Sequence, residues 1–223
     1  MNIHKPKANT FWSYVLLGLV IFTIFLIPVF PMGWHRHLYS IMYSLVFIAT
    51  VITTDRNQNL FLILAILAAV IQWVSVVFRF SAVFGISAIA NLIFFTMSVG
   101  SVIRQVASAK DVTIRVILES IIGYLLVGLI FSMFVSFIMA FDPGAFSFSK
   151  IEAPDVTNPS HLSDIIYFSF ITLCTVGYGD VVPLEPYSRS LTVLISVTGQ
   201  LYIAVIIALL VGKYAAQRSR QSE

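Results

Sequence analysis

The residues of this chain best placed to do chemistry use their backbone rather than their side chains. The stretch Thr172-Leu173-Cys174-Thr175-Val176-Gly177-Tyr178-Gly179-Asp180 lies between two long apolar runs and ends a short aromatic-rich segment. Glycine alternates with other residues at 177 and 179, and glycine reaches φ > 0 at little steric cost. The carbonyls of Thr175, Val176, Gly177 and Tyr178 are therefore expected to turn toward a common axis. A ring of such oxygens can take the place of the hydration shell of a potassium ion. A loop with bare carbonyls cannot face lipid, so it must be buried in protein or line a water-filled path.

Side-chain chemistry is sparse by comparison. Glu119 falls inside an apolar run, where a carboxylate is a functional suspect, but Arg115 four residues earlier offers the simpler role of an i,i+4 partner. His161 stands near the same loop, where a histidine could sense pH; its plain reading is a solvated loop histidine. Cys174 is the single cysteine, so there is no intrachain disulfide and no sign of redox compartment. Asn158 is followed by proline, which excludes glycosylation there. No spaced set of His, Cys or carboxylates occurs within the apolar runs, which argues against a membrane enzyme. No cofactor is called for beyond the cation as permeant ligand.

The elements that must position the loop are membrane helices. The chain has 223 residues, 59% of them apolar and only 10% charged, where soluble domains carry about a quarter charged residues. The net charge of +3 is dispersed in short loops and reads as topology information, not as a nucleic-acid footprint. Six runs meet the roughly 17–25 residues that a spanning helix needs: Phe11–Phe30, Leu38–Thr54, Leu60–Phe78, Ala82–Ile103, Val116–Phe141 and Leu191–Ala215. The first follows Lys5 and Lys7 but is too long for a signal-peptide core and lacks an Ala-x-Ala site, so a retained helix is expected. Turns are expected at Pro31-Met32-Gly33 with His35-Arg36-His37, at Asp55–Asn59 and at Arg79-Phe80-Ser81, and an interfacial helix over Arg104–Arg115.

With a cytoplasmic N-terminus, the inner side holds nine Lys and Arg residues (Lys5, Lys7, Arg56, Arg104, Lys110, Arg115, Lys213, Arg218, Arg220) against four outside (Arg36, Arg79, Lys150, Arg189). That excess follows the positive-inside pattern and puts both termini inside. The outer segment 142–190 then carries Asp142, Glu152, Asp155, Asp164, Asp180 and Glu185, either an acidic vestibule that concentrates cations or simply a solvated loop. A short helix is expected to start near Pro159, capped by Asn158 or Ser160, and to run to about Cys174. Entering from outside, its C-terminal end would point its partial negative charge at the membrane centre.

The string Thr175-Val176-Gly177-Tyr178-Gly179-Asp180 closely resembles the selectivity filter of the potassium channel family. The resemblance implies an all-α membrane protein of six transmembrane helices plus a re-entrant pore helix and filter loop, assembling as a homotetramer around one ion path. It implies that Thr175 gives both hydroxyl and carbonyl to the innermost ion site, that Val176, Gly177 and Tyr178 give carbonyls above it, and that Gly179 closes the outer turn. Asp180 sits behind the filter, and its usual tryptophan partner thirteen positions earlier is here Tyr167, which can still donate. The next position, often a second tryptophan, is Phe168 and cannot; Cys174 stands where threonine is usual. Gly199, nineteen residues after Asp180, matches the spacing of the family's inner-helix hinge, with close helix packing as the other reading. Ile203, Ile207 and Val211 recur every four residues and would line a cavity or gate, or else face lipid or a packed neighbour.

Six spans with the loop between the last two resembles the voltage-gated-like branch. Voltage sensors carry several intramembrane arginines, and Ala82–Ile103 carries no basic residue. The expected organisation is therefore a four-helix sensor-like scaffold without gating charges (1–103), an interfacial linker (104–115), a pore domain (116–215) and a short cytoplasmic tail (216–223). The expected function is passive potassium conduction without strong voltage gating. A non-selective cation channel remains an alternative, as does a cation transporter subunit, although transporters of that kind repeat the loop and only one Gly-Tyr-Gly occurs. Compactness, and the few residues after the last span, set the expected location as a prokaryotic inner membrane, with lipids and copies of itself as partners.

Overall fold

The structure is a computed structural model that describes residues 10–53, 58–78, 81–109, 111–148 and 162–221. Helix dominates. Helix α1 (Thr10–Ile21) widens into a π-helical turn (Phe22–Leu26) and a 3₁₀ turn (Ile27–Val29). The widening precedes Pro28, which has no N–H to continue the i→i−4 ladder. Four further helices follow: α2 (Met32–Thr53), α3 (Gln58–Phe78), α4 (Ser81–Ser108) and α5 (Ile114–Phe141). Strand β1 (Phe146–Phe148), the short helix α6 (Leu162–Leu173), strand β2 (Val181–Pro183) and the long helix α7 (Pro186–Gln221) complete the order. Among the described residues five helical stretches are long and apolar enough to cross a membrane. The exception is α3, which has 21 residues but a shorter apolar stretch, Leu62–Ile71.

Neighbours in sequence pack as neighbours in space from α1 to α5, and α5 also packs against α1, so α1 and α4 hold the first four helices to α5 of their own chain. Tyr43, Phe47, Phe94 and Phe95 fill the space between α2 and α4, with the Phe47 and Phe94 rings 4.5 Å apart, edge to face.

Helix boundaries differ from expectation in three places. The first turn is confined to Phe30 and Pro31, and α2 begins at Met32. Proline suits the entry to a helix, and His35 is buried against the turn, its Nε2 donating to the Phe30 carbonyl at 2.8 Å. Second, no separate interfacial helix covers Arg104–Arg115: α4 continues to Ser108 and α5 starts at Ile114. The buried stripe Phe95, Val99, Val102 and Val106 runs unbroken past Arg104, and exposed polar residues do not stop a helix whose apolar face is still covered. The short connection closes with Thr113 capping α5, its side chain accepting from Val116 N. Third, α7 starts at Pro186 rather than near Leu191 and continues through the expected tail to Gln221. The helix proposed to begin near Pro159 is described only from Leu162, ends at Leu173, and its capping residues Asn158 and Ser160, with His161, lie outside the described residues. So do Lys5, Lys7, Arg56, Arg79, Lys110, Lys150, Glu152 and Asp155 of the charge argument.

Two cations hold helix ends. Lys213 Nζ, on α7, donates to the carbonyls of Val106, Ala107 and Ala109 at 2.6, 2.7 and 2.7 Å. Arg115 reaches the Thr53 carbonyl at 3.3 Å and pairs with Glu119 at 2.7 Å. The last carbonyls of α4 and α2 have no helical donors, and a cation also suits the negative end of the helix dipole.

Glycine sets how closely the pore-side helices meet. A Cβ on Gly128 of α5 would overlap the Phe170 ring of α6, one on Gly123 the Tyr202 hydroxyl of α7, and one on Gly199 of α7 the Leu173 carbonyl oxygen of α6. Gly212, on the same helix as Gly199, has nothing within 4 Å of such a Cβ. Both sites are helical, where alanine is favoured over glycine by about 1 kcal/mol. Gly212→Ala is therefore expected to raise the melting temperature slightly and Gly199→Ala to lower it, because a backbone carbonyl cannot move aside; thermal unfolding of the two variants in one detergent checks this.

Candidate functional site

The centre of the site is the junction between the end of α6 and the loop that follows. The described part of α6 has 12 residues, fewer than a spanning helix needs. Its C-terminal carbonyls are taken up by the loop. Cys174 N donates to Phe170 O at 2.9 Å, Thr175 N to Thr172 O at 2.9 Å, and Val176 N and Gly177 N share Ile171 O at 2.8 and 3.3 Å. No peptide bond among the described residues is cis, and in a trans peptide the carbonyl points opposite to its N–H. With the amides of 175, 176 and 177 turned toward α6, the carbonyls of Cys174, Thr175 and Val176 face the other way.

The backbone signs explain how this is possible. Thr175, Gly177 and Gly179 have φ of 58°, 55° and 79°, and no other described residue has positive φ. Left-handed residues alternate with Val176 and Tyr178, and such alternation gathers successive N–H groups on one side of the chain. A β-branched residue with φ > 0 is uncommon, and holding Thr175 there costs on the order of 1–3 kcal/mol. Its partners offset that cost: its amide bond to Thr172, its hydroxyl donating to Cys174 O at 2.7 Å, and Gln200 Nε2 donating to the hydroxyl at 3.2 Å.

Each remaining residue singled out from sequence has a definite place. The Tyr167 hydroxyl donates to Asp180 Oδ2 at 2.7 Å, and Asp180 Oδ1 accepts from Val181 N at 3.2 Å. Phe168 is buried against Phe146 of β1 with ring centres 5.3 Å apart, so it braces the loop through packing. Cys174 is exposed, with its Sγ 3.4 Å from the Tyr124 hydroxyl of α5. Val176 and Tyr178 are 51% and 73% exposed. Gly199 is seated against Leu173 in an unbroken α7. Ile203, Ile207 and Val211 are all exposed, so the stripe is not packed within its own chain. With Val193, Val197 and Leu201, also exposed, it leaves roughly half the circumference of α7 apolar and uncovered at 3.6 residues per turn. Glu119 is buried and engaged by Arg115.

Several supports were not read from the sequence. Strands β1 and β2 pair antiparallel, Phe146 with Pro183 and Phe148 with Val181, so the chain leaving Asp180 is stapled to the segment after α5. Buried Ser188 donates to Ala145 O at 2.8 Å, Leu184 N donates to the same carbonyl at 2.9 Å, and the Tyr187 hydroxyl donates to Asp142. On the other flank, Tyr39 of α2 bonds Ser163 of α6 at 2.9 Å. The one local signal for these was the Phe146-Ser147-Phe148 alternation, too short to stand out.

Residues 139–215, from the end of α5 through the loop to α7, match the family model described as an ion channel. The match takes in β1, α6, the loop, β2 and most of α7, while Tyr39, Arg115, Glu119 and Tyr124 lie outside it. Potassium channel K1 of Plasmodium berghei (strain Anka) is 48% identical over 59 residues, covering 24% of this chain and 3% of that protein. Two-pore potassium channel 5 of Arabidopsis thaliana is 33% identical over 45 residues, covering 20% of this chain and 11% of that protein. The chain thus spans a small fraction of the length of the curated relatives it matches. No solved structure matches it. Residues 139–215 are thus similar to an ion-channel family, and the described chain holds helices long and apolar enough to cross a membrane.

The hydrogen bond to Asp180, with lesser contributions from burial and nearby negative charge, pushes the Tyr167 phenol up from 10.0 to about 12. A raised folded-state pKa contributes stability that is complete below the unfolded value and lost as pH climbs through the folded one. The melting difference between the wild type and Tyr167→Phe is expected to be constant below pH 10 and to shrink as pH approaches about 12; thermal scans across alkaline pH check this.

Proposed function

We propose that the chain is one subunit of a homotetrameric, potassium-selective channel that conducts passively. The observation that carries the reading is the set of amides of Thr175, Val176 and Gly177 bonded to the last carbonyls of α6, which frees the oxygens on the opposite side for a cation. One chain supplies one strand of carbonyls, and enclosing an ion needs several copies around an axis. The exposure of Val176, Tyr178 and the apolar face of α7 is consistent with surfaces that neighbouring copies and lipid would cover.

In this reading the ion loses water to the carbonyls of Tyr178, Gly177, Val176 and Thr175, moves by repulsion between successive ions, and leaves into a cavity below Thr175. Gly179 closes the outer turn. Because α6 points its C-terminal end inward, its partial negative charge favours the cation there. The inner helix would bend at or pack through Gly199, with Ile203, Ile207 and Val211 as an apolar gate. Six spans are assigned, α3 included, with both termini cytoplasmic and a prokaryotic inner membrane as the location. Helices α1–α4 form a scaffold without gating charges, since residues 82–103 hold no Lys or Arg, so opening is not steeply voltage-dependent.

Purified protein in liposomes with potassium and sodium gradients tests this. The reversal potential is expected near the potassium equilibrium value, and Gly177→Ala or Gly179→Ala is expected to abolish flux, because a Cβ is strained at their positive φ. A reversal near zero would replace the proposal with a non-selective cation channel, and flux below channel rates with a transporter.

A further inference from the structure

Gln200 lies on α7 one residue beyond the contact between Gly199 and Leu173. Its Nε2 donates to Thr175 Oγ1 at 3.2 Å, and that hydroxyl gives its own proton to Cys174 O at 2.7 Å. With the proton committed, the hydroxyl can only accept from Gln200, which settles that the amide turns its nitrogen and not its oxygen toward Thr175. A threonine oxygen has two acceptor lone pairs. One is taken by Gln200, so one is left. Gln200 itself is exposed in the single chain, so packing within its own chain does not account for its place.

We propose that Gln200 is a positioning residue for the innermost cation site, acting through Thr175. The amide holds the threonine hydroxyl in the orientation that donates to Cys174, and it occupies one of the two lone pairs that would otherwise face the ion. The site then grips its cation less tightly, which favours release toward the cavity. An apolar side chain of similar shape returns the lone pair to the ion and tightens the site. The inference rests on the channel reading above.

Barium is the probe: a divalent cation close in size to potassium, whose binding rises steeply with the number of oxygens facing it. In liposomes of the full chain, Gln200→Met, or Gln200→Leu as a second variant, is expected to strengthen barium block from the α7 C-terminal side by roughly three- to tenfold, the worth of one hydrogen bond. In a Thr175→Val background, which lacks the hydroxyl, the same change should shift block by less than about twofold, since two residues coupled only through that contact lose their interaction when either is absent. Should Thr175→Val carry no flux, Thr175→Ser provides the other arm: it keeps the hydroxyl, so the Gln200→Met shift must persist in it. No shift, a weaker block, an equal shift with and without the hydroxyl, or a shift lost in Thr175→Ser overturns the assignment of Gln200. Absence of potassium flux in the wild type overturns the channel reading instead, so the two failures are distinguishable.

Discussion

The last turn of α6 leaves carbonyls without helical donors, and the amides of Thr175, Val176 and Gly177 take them up. Both partners are satisfied by the same bonds. Unpaired backbone groups are costly, so this exchange dictates the path of the loop. It also fixes the direction of the loop oxygens, because a trans peptide that turns its N–H toward the helix turns its carbonyl away. The alternation of φ sign at Thr175, Gly177 and Gly179 is the conformational means to that end. Glycine meets it without strain at two of the three positions, and at the third a threonine is held by bonds to Thr172, Cys174 and Gln200.

A loop shaped by its own helix still needs that helix held in place. Apolar helices gain little from one another by excluding lipid, so their association relies on close packing and interhelical hydrogen bonds. Gly123, Gly128 and Gly199 open space for Tyr202, Phe170 and the Leu173 carbonyl respectively. Tyr202 also donates to Ser120 O at 2.8 Å, and Ser196 to Thr172 O at 3.3 Å. At the other end of the loop the Tyr167–Asp180 bond and the pairing of β1 with β2 secure its exit. The loop is anchored at entry and exit by different elements.

Two basic residues serve helix ends: Lys213 and Arg115 occupy the carbonyl ends of α4 and α2. Through Lys213, and through Gln217 Oε1 accepting from Val112 N at 3.1 Å, the far end of α7 is tied to the connection between α4 and α5. Glu119 has a comparable explanation: a buried carboxylate is costly alone, and Arg115 one turn away engages it.

What could be read without coordinates was what short-range rules govern. Glycines two apart mark where the backbone can turn left-handed, and long apolar runs mark helices wherever they end up packing. The family resemblance pointed to Tyr167 and Asp180, which lie 2.7 Å apart. Helix ends were less legible: polar residues at 104–108 neither forbid a helix nor require one, and the buried stripe ending at Val106 carried α4 through them. Gly199 shows the same division. Its spacing was consistent with a bend or a contact, and only the crossing of α6 and α7 put Leu173 O where a Cβ would be. Gln200 and Lys213 carried no local signal, because each acts on a partner between 25 and 107 residues away, and the alternation at 146–148 was too short to announce the pairing of β1 with β2. Local sterics and hydrophobicity thus determined which residues form helices and where the backbone turns; the tertiary structure alone decided which helix end, carbonyl or hydroxyl each side chain meets, since those contacts depend on how distant segments cross.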